Sequence, residues 1–356
     1  LKTTYPDGFV AYGADALRMT LLSYSPQSRR IALSIKRIEG YRNFANKLWN
    51  ASRYALMRLG DSPTKASQRC PQPKALANRW VLSRLHHALD VAATGLDAYR
   101  LDEASGALYH FVWDEFCDWY LEVSKPALDS GDQALVEETE ATLVHALETV
   151  LRALHPMMPH ITEEIWQRVP KWDGAQKSIM ISRFPSALTD AKLDRDAERD
   201  FEVVQAFVGS ARTIRAEHDV PNKVGMKIHW HTSDGAKRAV LEAERSTIES
   251  LARCEMRFEA DAAKLDDPGA HFANAAVFVN PGVRAAVPDV IDADKERDRL
   301  QRDLKKIEKE LGAVEKKLGN PSFLERAPEA VVEKSKQDAA RLRERRERLE
   351  AALSSL

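Results

Sequence analysis

The sequence predicts a mainly α protein: an antiparallel helical bundle, a small α+β module and a C-terminal antiparallel coiled-coil hairpin. Three observations carry this. Through most of the first 170 residues, apolar side chains recur three and four positions apart, the period of an amphipathic helix. Between 178 and 287, short alternating apolar runs break that period. From 289 onward the chain is charged, and its leucines keep heptad spacing.

In the first part, Asp15 to Leu22 reads as a short helix in a stretch too brief to complete a domain. A longer helix over 34–59 carries Tyr41, Phe44, Ala45, Leu48, Ala55, Leu56 and Leu59 and stops at Gly60. Residues 61–73, with prolines, serines and a threonine, read as a loop. Helical patterns resume over about 78–98, 102–124, 132–154 and 161–169, with Asp102 and Asp132 as N-cap candidates. Long helices with short connections predict an antiparallel bundle.

After Pro170 the run 178–184 reads as a strand, 193–216 as a helix, 224–230 as a strand and 234–251 as a helix. The runs 276–279 and 283–287 flank Asn280, Pro281 and Gly282, which predicts a hairpin. Beyond 289, Leu300, Leu304, Ile307, Leu311, Val314 and Leu318 form one seam. Gly319, Asn320 and Pro321 break it. A poorer seam follows through Val332, Ala339, Leu342, Leu349, Leu353 and Leu356, with Ser335 and Arg346 in register. Two seams around one breaker predict a helical hairpin.

Length and composition bound the function. The 356 residues suggest two or three domains. With 53 basic and 54 acidic residues the net charge is −1, so a nucleic-acid partner must be met by local basic surface. The hairpin offers such a surface: from Lys295 to Arg348 there are 17 Lys or Arg against 12 Asp or Glu, a local net of +5. Three widely spaced cysteines, Cys70, Cys117 and Cys254, make no CxxC pair and fit a reducing cytoplasm. No stretch approaches a membrane-spanning length. The start at Leu1, without Met or a signal-type leader, predicts a fragment of a longer chain.

Catalytic motifs are sparse. No phosphate-cradling glycine loop is present, and no catalytic residue is assigned. His155 and His160 are separated by Pro156 and Pro159, which favours a helix corner over a metal site. His86 and His87 are adjacent and point apart, as surface or boundary residues do. The cluster Tyr109, Phe111, Trp113, Phe116, Trp119 and Tyr120 is either a base-stacking platform or a core. The spacing of Trp113, Phe116 and Tyr120 puts them on one buried face and favours the core. On the helix 34–59, Lys36, Asn43, Lys47, Asn50 and Tyr54 fall within roughly 40° of one line, with Arg58 at its edge. Cation, amide and aromatic groups in a line can contact phosphates, base edges and unpaired bases. The alternative is an ordinary solvated face.

Several segments resemble class I aminoacyl-tRNA synthetases of the valine, isoleucine and leucine group. Residues 12–18, Tyr-Gly-Ala-Asp-Ala-Leu-Arg, are similar to the segment that follows their signature lysine loop. Residues 39–53 resemble the first anticodon-domain helix of valyl-tRNA synthetases. Residues 111–120, 154–166, 214–221, 317–328 and 331–334 are similar to further stretches of that family. The ending decides among the group, because the isoleucyl members end in a cysteine-rich zinc module and this chain ends in a coiled coil. Lys36 stands where arginine is often found, and Tyr54 where phenylalanine is common.

The resemblance implies the following expectations. Residues 1–33 are a remnant of the catalytic-domain junction, 34–190 a helical anticodon-binding domain, 191–288 the α+β module and 289–356 a tRNA-binding arm. Lys36, Asn43, Lys47, Asn50, Tyr54 and Arg58 contact the anticodon. Lys316, Lys317, Lys334, Arg341 and Arg345 contact the tRNA body. The parent esterifies valine to its tRNA with ATP and Mg, and needs the catalytic and editing domains of the same chain. HIGH- and KMSKS-type motifs are missing here, so this piece binds valine tRNA without aminoacylating it, holds no cofactor or metal, and is a cytoplasmic monomer. Two other readings remain: a coiled-coil module that docks a protein, and a free-standing RNA-binding paralogue.

Overall fold

A computed structural model describes residues 8, 10–24, 33–60, 70–171, 174–185, 193–265, 276–280, 282–288, 293–319 and 329–354. It divides into two compact units, Leu1–Ala206 with Ala239–Leu251, and Phe207–Arg238 with Ala252–Leu356.

The first unit is helical. Its main helices are α1 (Ala14–Leu22), α2 (Ile35–Leu59), α3 (Leu76–Asp97), α4 (Leu101–His110), α5 (Leu121–Leu128), α6 (Gln133–Leu154) and α7 (Pro159–Trp166). Ser34 starts α2, its Oγ accepting from Arg37 N, and Gly60 ends it in the left-handed region at φ 52°. Asp132 caps α6 by accepting from the backbone N–H groups of Ala134 and Leu135. Asp102 is no N-cap. It lies inside α4, which starts one residue after Arg100, and its carboxylate takes a hydrogen bond from Arg100. Gly95 is required at the α3–α4 turn, because a Cβ there would meet Arg100 O at 3.0 Å.

Between α4 and α5 the chain winds as a π-helix over Phe111–Tyr120. This wider winding decides which aromatics are core. Phe111, Phe116 and Tyr120 are buried, whereas Trp113, expected among them, is half-buried. The α-helical pitch that would bury it with them does not hold in this segment. A polar chain runs through the core beside it. Tyr120 donates to Asn78 Oδ1 at 2.8 Å, and Asn78 Nδ2 donates to Glu138 Oε1 at 3.0 Å. Burial pushes the Tyr120 phenol well above its ordinary range.

The corner between α6 and α7 is shaped by Pro156 and Pro159 and held from α1. Arg18 donates to Pro156 O at 2.7 Å and to Met157 O at 3.2 Å. Asp15 accepts from the backbone N–H of His160 at 3.2 Å and of Ile161 at 2.7 Å. His155 Nδ1 meets Thr162 Oγ1 at 2.8 Å, and His160 is exposed. Beneath the corner, Glu148 is buried. It takes two hydrogen bonds from Arg152, at 2.6 and 2.8 Å, and one from Trp166 Nε1 at 3.3 Å. The run 178–184 is not a strand. Ile179–Ile181 forms one 3-10 turn, because Glu163 draws in Ser178 Oγ and Ile179 N.

α8 (Arg195–Glu217) follows, started by Asp194, whose Oδ1 accepts from Ala197 N at 2.9 Å. The second unit holds a sheet of β1 (Met226–His231), β2 (Cys254–Phe258), β3 (Ala276–Asn280) and β4 (Val283–Val287) in the order β2-β1-β4-β3. β1 pairs with β2 in parallel, and β4 runs antiparallel to both β1 and β3. The stretch from β1 to β2 contains α9 (Gly235–Ala243) and α10 (Arg245–Ala252). Arg215 is buried and donates to four backbone carbonyls, those of Pro221, Val224, Ala252 and Arg253. Gly282, at φ 79°, supplies the left-handed residue of the β3–β4 turn.

Two helices end the chain, α11 (Ala293–Leu318) and α12 (Glu329–Ser354). They pack through Ile307, Leu311, Ala339 and Leu342, with Val314 and Leu318 against them. Ser335 is buried in the second seam and Arg346 half-buried, as the register predicts. The breaker residues Asn320 and Pro321, and the seam side chains Leu300, Leu349, Leu353 and Leu356, lie outside the described residues, as does the expected loop over 61–69. No helix among the described residues is long and apolar enough to cross a membrane.

Two stability outcomes follow. Glu148→Ala leaves the half-buried Arg152 guanidinium and the Trp166 indole N–H without their carboxylate and should cost about 2–3 kcal/mol, whereas Asp15→Ala removes a helix cap worth about 1 kcal/mol. Urea titrations of both variants give the ranking. Burial also pushes the His145 imidazole down to about 4 from 6.5. The unfolded chain therefore binds this proton first as pH falls. Stability present above pH 6.5 should decline toward pH 4, by roughly 3 kcal/mol, and His145→Asn should flatten that decline in urea titrations at several pH values.

Candidate nucleic-acid interface

α2 is the helix on which the sequence places a binding line. Its buried side is set by Phe44, Leu48, Ala51, Ala55 and Leu59. Opposite that side stand Arg42, Asn46, Trp49, Arg53 and Met57, all exposed. The expected line of Lys36, Asn43, Lys47, Asn50 and Tyr54 is therefore turned roughly 70° from the centre of the exposed face. It lies along the border with the π-helical segment and α5.

That border divides the six residues. Lys36, Asn43 and Asn50 are exposed. Lys47, Tyr54 and Arg58 are half-buried and engaged. Lys47 Nζ donates to Asp118 Oδ1 at 2.6 Å and sits 3.8 Å above the Trp113 ring. Arg58 pairs with Asp129 at the end of α5. Lys125 Nζ lies 5.5 Å from the Tyr54 ring centre. The Tyr54 hydroxyl is buried and has no hydrogen-bond partner among the described residues. Burial raises its phenol pKa, and the nearby Arg58 and Lys125 charges partly offset the rise. A ligand reaching these three side chains must displace partners already in place.

The residues that face solvent most directly were missed in the sequence. Arg42, Asn46, Trp49 and Arg53 recur at four, three and four positions, opposite the line Phe44, Leu48, Ala51, Ala55. That opposition is the signal that would have found them. Arg168 stacks over Trp49 at 5.1 Å, so a cation and an indole face water together.

In the hairpin, Lys316, Lys317, Arg341 and Arg345 are exposed. Arg341 pairs with Asp338 at 3.5 Å on its own helix. The Lys334 side chain lies outside the described residues. Arg343 reaches across from α12 to Glu315 on α11 at 2.7 Å. Among the described residues no group of three or more His, Cys, Asp or Glu could hold a metal ion.

Comparison with known proteins gives these surfaces a context. A family model described as "Anticodon-binding domain of tRNA ligase" matches residues 78–229. A second, "Valyl tRNA synthetase tRNA binding arm", matches residues 292–356. The chain is thus of the class that carries a tRNA-ligase anticodon-binding domain. It is 38% identical over 350 residues to a valine–tRNA ligase of Geobacter sulfurreducens, covering 97% of this chain and 38% of that one. It is 40% identical over 352 residues to the Syntrophotalea carbinolica enzyme of the same name, with 97% and 38% covered. For that of Xanthomonas campestris pv. campestris the identity is 36% over 343 residues, with 96% and 35% covered. The chain belongs to the valyl-tRNA synthetase family and spans a little over a third of the length of these relatives.

The two kinds of cation on α2 should separate in stability measurements. Lys47→Ala loses an ion pair and a cation–π contact and should cost about 1 kcal/mol. Arg42→Ala and Arg53→Ala should stay within about 0.5 kcal/mol of the parent chain. Thermal denaturation of the three variants tests this.

Proposed function

We propose that this chain is the tRNA-gripping part of a valine–tRNA ligase. The observation that carries the reading is the pairing, in one chain, of an anticodon-binding match at 78–229 with a valyl-type arm at 292–356. α2 presents cations, amides and an indole to solvent, the set that contacts phosphates, base edges and unstacked bases. In this reading the exposed Lys36, Asn43 and Asn50 contact the anticodon directly, with the half-buried Lys47, Tyr54 and Arg58 contributing from the border. The arm, basic on a chain of net charge −1, supports contacts with the tRNA body through Lys316, Lys317, Lys334, Arg341 and Arg345.

In this reading the parent uses ATP and Mg to esterify valine to its tRNA, on catalytic and editing domains that precede these residues. This chain contributes grip and orientation, which lower the entropic part of the barrier. Alone, it binds valine tRNA and does not aminoacylate it. Its partner within the parent is supported by α1, where Leu17 and Leu21, one turn apart, are 40% and 49% exposed. An apolar edge of that kind suits packing against a preceding domain. The chain acts as a cytoplasmic monomer.

The test is a salt titration of tRNA binding. Valine tRNA should bind more tightly than the same tRNA with a swapped anticodon, and Asn50→Ala or Tyr54→Ala should narrow the difference. Removing one base-stacking platform costs about 1–3 kcal/mol. Deleting 294–356 should weaken binding and flatten the salt slope by about 0.7–0.9 for each phosphate that is no longer neutralised. Equal affinity for both tRNAs with an unchanged slope after deletion points instead to a hairpin that docks protein.

A further inference from the structure

Cys70 lies just before α3 and is half-buried. Its Sγ is 3.5 Å from Nε2 of His86, a histidine the sequence placed at the surface or its boundary but which is 5% exposed. The pair stands in the wall of two cavities in the first unit, of about 600 and 500 Å³. The larger is lined also by His145, Thr149, Arg152 and Arg183.

Thr149 gives an independent sign of a ligand. Several hydroxyls inside helices of this chain donate to the carbonyl four residues back, as Thr20, Ser52, Thr142 and Thr162 do. Thr149, in α6 and 3% exposed, does not. Thr149 lines the larger cavity, and its Oγ1 is buried without a hydrogen-bond partner among the described residues. A buried hydroxyl left so costs about 1–3 kcal/mol relative to a bonded one. A polar molecule in the cavity relieves that cost.

We propose that Cys70 is a thiol-exchange site that forms a mixed disulfide with a small peptide disulfide seated in this cavity. With its proton on Nδ1, His86 accepts the thiol proton at Nε2. The Cys70 thiolate attacks one sulfur of the disulfide, a new S–S bond forms, and the old one breaks. The departing thiolate takes the proton back from His86. One thiol and one disulfide become one mixed disulfide and one thiol, with no other oxidant. Thr149 hydrogen-bonds the bound peptide, and the exposed Arg183 faces its carboxylates. Selectivity follows from the other thiols. Cys117 and Cys254 are buried, and burial pushes the Cys117 thiol up to about 12.

Oxidised glutathione is the probe, with adducts mapped by peptide mass spectrometry and rates followed at several pH values. The native chain should take up one glutathione, at Cys70, faster at pH 7 than the urea-unfolded chain does. His86→Asn should slow the reaction about threefold or more at pH 7, because a gain in thiolate fraction is partly offset by lower nucleophilicity. The two chains should converge near pH 10, where the thiol ionises without help; a merely structural role for His86 would slow both conditions alike. Thr149→Val should slow glutathione transfer but not transfer from an uncharged hydroxyethyl disulfide. Adducts spread over all three cysteines overturn the proposal, as does a His86→Asn deficit that is equal at both pH values. If His86→Asn does not fold, the native-to-unfolded rate ratio decides, and a ratio at or below one overturns it.

Discussion

The helical unit turns on a corner that two side chains of α1 hold together. Where one helix ends and another begins within four residues, carbonyls at the first and N–H groups at the second lose their partners. Proline at 156 and 159 prevents the chain from repairing this by continuing the helix. Arg18 supplies donors to two carbonyls of the corner itself, those of Pro156 and Met157, and Asp15 supplies acceptors to the starting amides of α7. Each charge also sits at the helix end whose dipole favours it. Because the two residues are three apart on one helix, a single short element satisfies both ends. α1 is thereby fixed to the α6–α7 corner, and α1 packs on α2, whose exposed face is the candidate interface.

That arrangement explains why α2 presents what it does. Its apolar arc must meet the bundle, so the line opposite is given to solvent. The border residues are drawn toward the neighbouring elements by acidic partners, Asp118 for Lys47 and Asp129 for Arg58. These pairs are partly solvated, so each is worth little in stability. Their effect is positional: they hold two cations and a tyrosine beside an exposed line of amides, arginines and an indole. A flexible anionic chain can then exchange one weak carboxylate contact for a phosphate contact at small cost.

Much of the fold was legible because the helices are long and their cores regular. The period located α2, α3, α6 and both hairpin helices to within a few residues, and Asp132 and Gly60 marked ends by ordinary capping chemistry. The errors have local causes. Trp113 was misplaced because the π-helical winding of Phe111–Tyr120 cannot be read from spacing that presumes an α-helix. Asp102 looks like a cap, yet Arg100 captures its carboxylate inside the first turn. The run 178–184 is apolar enough for a strand, but a distant carboxylate, Glu163, bends it into a turn. β2 went unseen because five residues with a parallel partner give too short an alternation. The line from Lys36 to Tyr54 lies about a fifth of a turn from the centre of the exposed face, because helical periodicity orders residues around an axis without saying which flank a neighbour will cover. His86 was misread for a related reason: its burial depends on Cys70 and on elements far along the chain.

The hairpin shows how a nearly neutral chain can carry a basic tool. Its described core is narrow, four buried side chains with two more against them. A narrow seam leaves most of each helix surface free for charge. Ser335 and Arg346 in the seam weaken apolar packing, and polar groups at such positions trade stability for a defined register. The cross-arm pair of Arg343 with Glu315 fixes the same alignment from outside. With register set by these contacts, the remaining lysines and arginines are not needed to hold the arm together. Surface charge can then concentrate on the arm while acidic residues elsewhere bring the total to −1. Attraction toward an anionic partner is thereby local, and screening confines it to within about a Debye length, roughly 8 Å at physiological salt.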